Sequence, residues 1–309
     1  MQLRLLATVV VLTGMLWSPA GPSGLPSPSQ EAPVFSARSE LVVLQVRVED
    51  RDHHSVTDLP GDAFTVLEDG TPQQIAFFTP QDAPVTVGLL IDNSGSMLGI
   101  WNLVAAAAGE FVATSNPEDQ VFALTFTDRV LPVLQSGELF TSDAAALRSS
   151  LLDAVAPRGR TAMYDAIVQG LHYLSRGTHD RKLLVIVTDD RDNASIATLD
   201  QVLRQVQASN VLLYAIVVRD PVRGRADVRH LDRLAKASGG ELFEPADAAG
   251  VHAALQHIAN DVRRMYTIGY TPEQAKGPGL RRIRVRVHAP GLSGLHVRTR
   301  LGYVVDDDH

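Results

Sequence analysis

One apolar stretch limits what this chain can fold into more than any other. Residues 85–91 form an almost continuous apolar run, which stops abruptly at Asp92 and is followed by an Ala-rich stretch typical of a helix. Such a run predicts a strand buried on both faces, as in the parallel sheets of α/β proteins. In open α/β sheets, ligands bind outside the carboxyl ends of the strands. We therefore expect a binding site immediately after residue 91.

The residues at that position are suited to a hard metal ion. Asp92, Ser94 and Ser96 follow the strand in an Asp-x-Ser-x-Ser pattern. One carboxylate and two hydroxyls are ligands for Mg²⁺, or for Mn²⁺ or Ca²⁺, rather than for zinc or copper. The alternative is that these side chains only cap the helix that follows, because Ser and Asp are good N-cap residues.

Composition excludes several functional classes. The net charge of −7 over 309 residues argues against a nucleic-acid-binding protein, which would carry a basic face. Arg282, Arg284 and Arg286 alternate as the face of a strand would, and we interpret them as solvated edge charges. The chain has no cysteine, which excludes thiol redox chemistry and thiolate metal sites.

The amino-terminal residues predict export. Residues 1–20 combine an early Arg4 with a short apolar core and small residues at a plausible cleavage position, as in a secretory signal peptide. An uncleaved anchor is the alternative, and no later stretch is expected to span a membrane. Residues 21–34 are rich in Pro, Ser and Gly and predict a flexible linker. The protein is therefore expected in the periplasm, in the medium or at the cell surface, without disulfides to stabilise it.

The rest of the chain divides by pattern into one α/β region and two β flanks. Residues 83–266 alternate between strands and helices, which predicts a doubly wound, mostly parallel sheet covered by helices on both faces. Residues 35–80 and 267–305 show strand alternation, but neither flank is long enough to bury a core alone. We expect them to form one small β-sandwich, with residues 306–309 as a polar tail.

Within the α/β region, the pattern predicts individual elements. Buried strands are expected at 85–91, 120–127, 182–189 and 211–218, edge strands at 130–134 and 241–244, and helices at 103–115, 142–152, 161–174, 199–208, 228–237 and 249–265. Asp143 is expected in the first turn of its helix.

Two further segments join the first at the predicted site. Residues 160–165 have the sequence Arg-Thr-Ala-Met-Tyr-Asp, in which the threonine is Thr161. Residues 187–193 follow a second buried strand and begin with Val-Thr-Asp, in which the aspartate is Asp189. In combination with the Asp-x-Ser-x-Ser segment, they resemble the von Willebrand factor type A domain and its metal-ion-dependent adhesion site, over residues 85–265. The flanking stretches 66–70, 266–272 and 297–303 resemble a bacterial subfamily of exported proteins that carry this domain.

The resemblance implies a role for each ligand. Ser94 and Ser96 would bind the metal directly, and Thr161 would bind it directly or through water. Asp92 and Asp189 would act largely through water molecules. The chain departs from the family pattern at Asp190, where glycine is common, and Asp190 and Asn93 are possible accessory residues; Asn93 is expected to serve loop geometry.

The same donor set predicts how the site would work. Carboxylates that act through water, together with neutral hydroxyls, leave a divalent cation incompletely neutralised, so an outside carboxylate is favoured at an open position. The expected function is non-enzymatic, cation-dependent binding of a Glu or Asp on a partner protein. One alternative is a metal-free scaffold. The other is a Mg²⁺-dependent phosphohydrolase in which Asp92 attacks phosphate, although the second Asp such enzymes carry two residues later is missing.

Neighbouring residues have less specific interpretations. Met97, Leu98, Ile100 and Trp101 are expected to pack in the core rather than to form an apolar rim around the site. Tyr164 and Asp165 are expected to support Thr161. Asp190, Asp192 and Asn193 resemble part of a calcium loop, but neither the glycine nor the bidentate glutamate of such loops is present.

Overall fold

The computed structural model describes residues 41–305 except 53, 81, 135–136, 155–158, 190–191, 219–226 and 273–276. The predicted signal peptide, the linker, the polar tail and Asp190 lie outside these residues. The strands are β1 (Val42–Glu49), β2 (Phe64–Glu68), β3 (Thr71–Gln73), β4 (Ile75–Thr79), β5 (Val85–Asp92), β6 (Gln120–Phe126), β7 (Val130–Pro132), β8 (Arg181–Thr188), β9 (Val211–Val217), β10 (Leu242–Phe243), β11 (Tyr266–Tyr270), β12 (Gly279–Val287), β13 (His296–Arg298) and β14 (Gly302–Val305). The α-helices are α1 (Trp101–Ala113), α2 (Ala144–Asp153), α3 (Met163–Ser175), α4 (Leu199–Ala208), α5 (Arg229–Ser238) and α6 (Ala248–Arg263).

A six-stranded sheet in the order β10-β9-β8-β5-β6-β7 forms the centre of the α/β region. All neighbours pair in parallel except β7, which is antiparallel to β6 at the edge. Every residue of β5 and β9 is buried, because helices cover both faces. The predicted doubly wound, mostly parallel sheet is confirmed.

The helices divide three and three between the two faces of this sheet. One apolar core contains the buried faces of α1, α2 and α6, and the other contains those of α3, α4 and α5. Gly88 in β5 makes room for the second core, since a Cβ there would lie 2.4 Å from the Cζ atom of Phe122. In the described part of the chain, Gly95–Ala113 is the stretch long and apolar enough to cross a membrane, and half of it is buried inside the protein.

The two β flanks form a pair of four-stranded sheets around a third apolar core, as predicted. One sheet has the order β13-β1-β11-β4 and the other β14-β12-β2-β3. Each sheet therefore combines strands that precede the α/β region with strands that follow it. Neither flank could bury its apolar face without the other.

The three flanking stretches that resemble the bacterial subfamily, residues 66–70, 266–272 and 297–303, meet inside this sandwich. Glu68, at the end of β2, is 4% exposed and accepts hydrogen bonds at Oε2 from the hydroxyls of Tyr270 (2.7 Å) and Tyr303 (3.0 Å). Burial and the hydrogen bond to Glu68 raise the pKa of both tyrosines, so both remain donors. The cluster links β2 to β14 in its own sheet and to β11 in the facing sheet.

The sandwich packs against the amino-terminal end of the parallel sheet. Arg181, the first residue of β8, is 1% exposed and donates to the carbonyls of Val262 and Met265 at the end of α6. The same guanidinium donates to Thr267 in β11 and Gln45 in β1. Since β8 runs from this junction to the predicted site, the two lie about 23 Å apart along the strand.

The structure corrects several local expectations. Asp143 is the N-cap of α2 and accepts from the amides of Ala145 and Ala146, rather than lying in the first turn. Strand β12 is the second strand of its sheet, so its arginines are not edge charges. Met97 and Trp101 are buried as expected, but Leu98 is 58% exposed. The predicted ends of α4 match the observed ones. The other predicted helix ends differ from the observed ones by one or two residues, because end residues are weakly specified by periodicity.

Candidate metal site

The first and third predicted segments meet at the carboxyl ends of β5 and β8. These strands are parallel neighbours with Ile91 opposite Val187, which brings Asp92 beside Thr188. The Thr188 hydroxyl donates to Oδ2 of Asp92 at 2.6 Å, and the backbone amide of Ser94 donates to Oδ1 at 2.8 Å. Asp92 is fully buried. Its carboxylate is thus fixed in one orientation by two donors.

The two serine hydroxyls lie next to each other. Ser94 precedes a 3₁₀ helix, Gly95–Ile100, but its side chain makes no capping hydrogen bond, so the capping interpretation is wrong for this residue. Its Oγ lies 3.1 Å from Oγ of Ser96 instead. Ser94 is 4% exposed, whereas Ser96 is exposed.

Thr161 is held by the loop that follows β8. Its backbone amide donates to Oδ1 of Asn193 at 2.9 Å, and its carbonyl accepts from the amides of Asn193 and Ala194. The next amide, of Ala162, donates to the carbonyl of Thr127 just beyond β6. Thr161 is 3% exposed. Backbone hydrogen bonds thus join the second segment to the third.

The remaining acidic residues of these loops serve to position them. Asp192 accepts from the amide of Tyr164 and the hydroxyl of Ser195. Asp165 accepts from the amides of Ile196 and Ala197. Asp192 therefore joins α3 to the loop after β8, which leaves its carboxylate poorly placed to form a calcium loop.

Two polar atoms at the site lack the partners that buried oxygens normally have. Asp189 is 8% exposed, and its Oδ1 is buried without a hydrogen bond among the described residues. The side-chain amide of Asn93 donates to the carbonyl of Ala154 at 2.9 Å, while its Oδ1 is buried and similarly unbonded. Buried oxygens are nearly always paired, so an unpaired carboxylate oxygen is unusual. Asn93 fixes the loop to the end of α2.

The electrostatics of the site favour a cation. Burial and, to a smaller extent, the neighbouring charge of Asp189 raise the pKa of Asp92 from an ordinary value of 3.8 to about 6, against the hydrogen bonds from Thr188 and Ser94, which lower it. Within the described ranges, no basic side chain forms an ion pair with either carboxylate. Two acidic groups in one buried place without a counter-charge disfavour each other's ionisation.

The donor set fits a divalent ion of the magnesium class. Carboxylate and hydroxyl oxygens are the hard ligands such ions take. An octahedral Mg²⁺ ion with oxygens at about 2.1 Å places neighbouring ligands about 3.0 Å apart. The hydroxyl oxygens of Ser94 and Ser96 share a hydrogen bond at 3.1 Å, a separation that two neighbouring ligands of such an ion would also have. Asp189, with its unpaired Oδ1, lies at the same end of the sheet.

Two positioning residues were not identified from the sequence. Thr188 orients Asp92, and Asn193 holds the backbone of Thr161. Thr188 is the threonine of the strand-Thr-Asp pattern, so the pattern could have identified it as a site residue. The pairing of Asn193 with Thr161 has no local signal, because 32 residues separate them.

A family model confirms the class of protein. The von Willebrand factor type A domain model matches residues 87–260, more than half of the chain. The chain belongs to the von Willebrand factor type A domain family. Members of this family usually act as non-enzymatic binding modules. No match is found among curated proteins.

Solved structures show the same fold at low sequence identity. A von Willebrand factor type A protein from Catenulispora acidiphila aligns with a TM-score of 0.52 and 14% identity, over 89% of this chain and 76% of its own. That coverage extends beyond the family-matched residues into the flanks. Proximal thread matrix protein 1 from the mussel byssus, with a zinc-occupied MIDAS motif, aligns with a TM-score of 0.51 and 14% identity, over 62% of this chain and 48% of its own. Both likenesses show the fold alone.

Proposed function

We propose that this protein is an exported, non-enzymatic adhesion or assembly module that binds a divalent cation and, through it, an acidic residue of a partner protein. The observation that carries the proposal is the buried, unpaired Oδ1 of Asp189 beside the fixed carboxylate of Asp92. A cation would satisfy both groups. The mussel protein with a zinc-occupied MIDAS motif supports metal binding in this fold.

Each residue contributes a distinct part of the site. Ser94 and Ser96 would hold the cation through their adjacent hydroxyls, and Thr161 would add a third hydroxyl from the neighbouring loop. Asp92 and Asp189 would orient bound water and supply the negative charge. Mg²⁺ is the expected ion, with Mn²⁺ or Ca²⁺ as substitutes.

The partner's chemistry follows from the charge balance. Ser96 is exposed, whereas Asp92, Ser94 and Thr161 are buried, so the site opens to solvent on the side of the first loop. A cation held by neutral hydroxyls with water-mediated carboxylates keeps a net positive charge toward that opening. A Glu or Asp side chain from another protein would complete it.

The phosphohydrolase alternative has little support from the geometry. A nucleophilic carboxylate must reach a phosphorus atom. Asp92 is fully buried, and both of its oxygens already accept hydrogen bonds from Ser94 and Thr188. The metal-free scaffold is the second candidate, in which Asp189 would keep its unpaired oxygen.

Calorimetric titration of the full chain with Mg²⁺, Mn²⁺ and Ca²⁺ tests the proposal. We expect saturable binding by the wild type, and none by Ser94→Ala or Asp92→Ala, since these remove a direct ligand and a charge. Asp200→Asn, an exposed site in the first turn of α4, serves as the matched control and should bind as the wild type does. A wild type that binds none of the three ions would favour the scaffold.

A second experiment tests the partner's chemistry. Proteins from the surface of the source cell are captured on the immobilised chain with Mg²⁺ and with a chelator. Capture that depends on Mg²⁺ and is lost in Ser94→Ala supports the proposal. Capture that is unchanged by the chelator and by the variant contradicts it.

A further inference from the structure

Three arginines form an unpaired row on the outer face of the sandwich. Arg282, Arg284 and Arg286 alternate along β12 with Ile283 and Val285, which are buried in the sandwich core. All three arginines are exposed. Neighbouring members are about 7 Å apart, because they are two residues apart on one strand. We call this set the arginine row.

Among the described residues, no acidic group balances the arginine row on that face. None of its guanidinium groups forms an ion pair or hydrogen bond within the described part of the chain. The neighbouring positions on β2 are Leu67, opposite Arg284, and Thr65, opposite Arg286. In the four strands of this sheet the sole acidic residue is Glu68, which faces the core and bonds to the tyrosines.

The charge of the row contrasts with that of the whole chain. The protein carries a net charge of −7, yet this face presents three cations in line. Asp69 lies near, but it pairs with Arg281, whose side chain is largely covered, and it accepts a hydrogen bond from the backbone amide of Arg282. Like charges aligned without counter-charges repel one another, so a ligand with negative charges at similar spacing would relieve the repulsion.

Exposed apolar side chains lie at one end of the row. Leu280 has the same orientation along β12 as the arginines and is 53% exposed. It stands opposite Val304 of β14. Leu301, which is 71% exposed, is joined to this end through its carbonyl, an acceptor for the amide of Ile283. The face therefore combines a line of cations with an apolar margin.

We propose that this face of the sandwich binds an anionic phospholipid membrane. Arginines near a membrane attract anionic headgroups, and their apolar stems, with neighbouring leucines, pack at the headgroup boundary. A soluble anionic polymer would use the arginines and leave Leu280 and Leu301 without a role. The net negative charge of the rest of the chain would orient this face toward the membrane.

This orientation would complement the proposed metal site without depending on it. The sandwich contacts the amino-terminal end of β8, and the metal site lies at its carboxyl end, about 23 Å away. A protein bound through the arginine row would hold its metal-site loops at a distance from the lipid.

Vesicle flotation of the full chain tests this inference. The probes are phosphatidylcholine vesicles with and without phosphatidylglycerol, at low and high salt. We expect binding only to the anionic vesicles, weakened by salt. The triple substitution R282Q/R284Q/R286Q should weaken binding about a hundred-fold, at about five-fold for each arginine. Adding Leu280→Ser to the triple variant should weaken vesicle binding further.

The control makes the same change of net charge elsewhere. R148Q/R176Q/R204Q alters three exposed arginines of the α/β region and should bind as the wild type does. Circular dichroism of each variant establishes that it is folded. Equal binding by the two triple variants would overturn the inference, as would equal binding to both kinds of vesicle. Tight binding of soluble polyphosphate, with no dependence on Leu280, would identify an anionic polymer as the ligand and overturn the membrane proposal.

Discussion

The protein contains two buried acidic clusters that are stabilised in opposite ways. In the sandwich, Glu68 has both of its hydrogen bonds from tyrosine hydroxyls of the same chain. At the carboxyl end of the parallel sheet, Asp92 is held by Thr188 and Ser94, but Asp189 keeps a buried oxygen without a partner. Both clusters are almost completely shielded from water.

The difference separates an acidic cluster whose hydrogen bonds are satisfied within the fold from one with a buried oxygen that has no partner among the described residues. Another buried acid follows the first pattern: Asp261 pairs with Arg47 at 2.6 Å and accepts from the hydroxyl of Tyr214. An acidic pair such as Asp92 and Asp189, without a cation among the described residues, leaves negative charge uncompensated in a low-dielectric place. Under the proposed function, an external cation would compensate this charge.

The largest expected effect concerns metal affinity. Asp189→Asn keeps the shape of the side chain and removes its charge, so we expect Mg²⁺ affinity to fall by about a hundred-fold. Glu68→Gln makes the same chemical change in the satisfied cluster and should leave Mg²⁺ affinity unchanged. Calorimetric titration of both variants measures the contrast, and equal losses would show that the two clusters do not differ as argued.

The next effect concerns the stability of the sandwich. Glu68→Met removes the acceptor of two tyrosine hydroxyls, one of them fully buried, so we expect the free energy of unfolding to fall by about 2 to 3 kcal/mol. Urea denaturation at neutral pH measures this change. Leu67→Met, the adjacent position on β2, is the control for a change of side-chain shape. A variant as stable as the wild type would mean that the tyrosines find other acceptors.

At the metal site, removing the charge of a buried carboxylate should stabilise the metal-free protein. Folding raises the pKa of Asp92 to about 6 from 3.8, so ionised Asp92 destabilises the fold. Its favourable contribution is complete below pH 3.8 and is lost as pH rises through 6. Asp92→Asn avoids this loss, and we expect up to about 3 kcal/mol of added stability at pH 7 and less than about 1 kcal/mol near pH 4.

Urea denaturation in a chelator, at both pH values, measures this effect. Asp200→Asn, an exposed position, controls for a general change in net charge and should show no such difference. Excess Mg²⁺ should reverse the order at pH 7, because the cation stabilises only the wild type. A destabilised Asp92→Asn variant in chelator would show that the hydrogen bonds from Ser94 and Thr188 to the carboxylate outweigh the cost of burying its charge.

Much of this contrast could be predicted from the sequence, although not all of it. Asp92, Ser94 and Ser96 could be placed because a buried strand and a recognisable pattern fix them locally. The convergence of Glu68, Tyr270 and Tyr303 could not, since Glu68 is more than 200 positions from either tyrosine along the chain. Their stretches were identified only as motifs of the flanks. Pairing across such distances depends on strand order, which periodicity does not specify.

The exposure of individual side chains could not be predicted from the sequence either. Leu98 has an apolar side chain typical of a core residue, but it is exposed on a 3₁₀ helix, whereas Met97 beside it is buried. The arginines of β12 were correctly expected to be solvated, and wrongly placed on an edge strand. Alternation predicts which face a side chain occupies, but it does not predict the neighbours of the strand.

The smallest expected effect distinguishes the two tyrosines that bond to Glu68. Tyr303 is only partly buried and donates at 3.0 Å, whereas Tyr270 is fully buried and donates at 2.7 Å. Tyr303→Phe should cost about 0.5 kcal/mol, because water can reach Glu68 from that side, and Tyr270→Phe about 1.5 kcal/mol. Urea denaturation of both variants gives the ratio. Equal losses of stability would mean that water reaches Glu68 from neither side. The hydrogen bond from Tyr303 would then be as necessary to Glu68 as the bond from Thr188 is to Asp92.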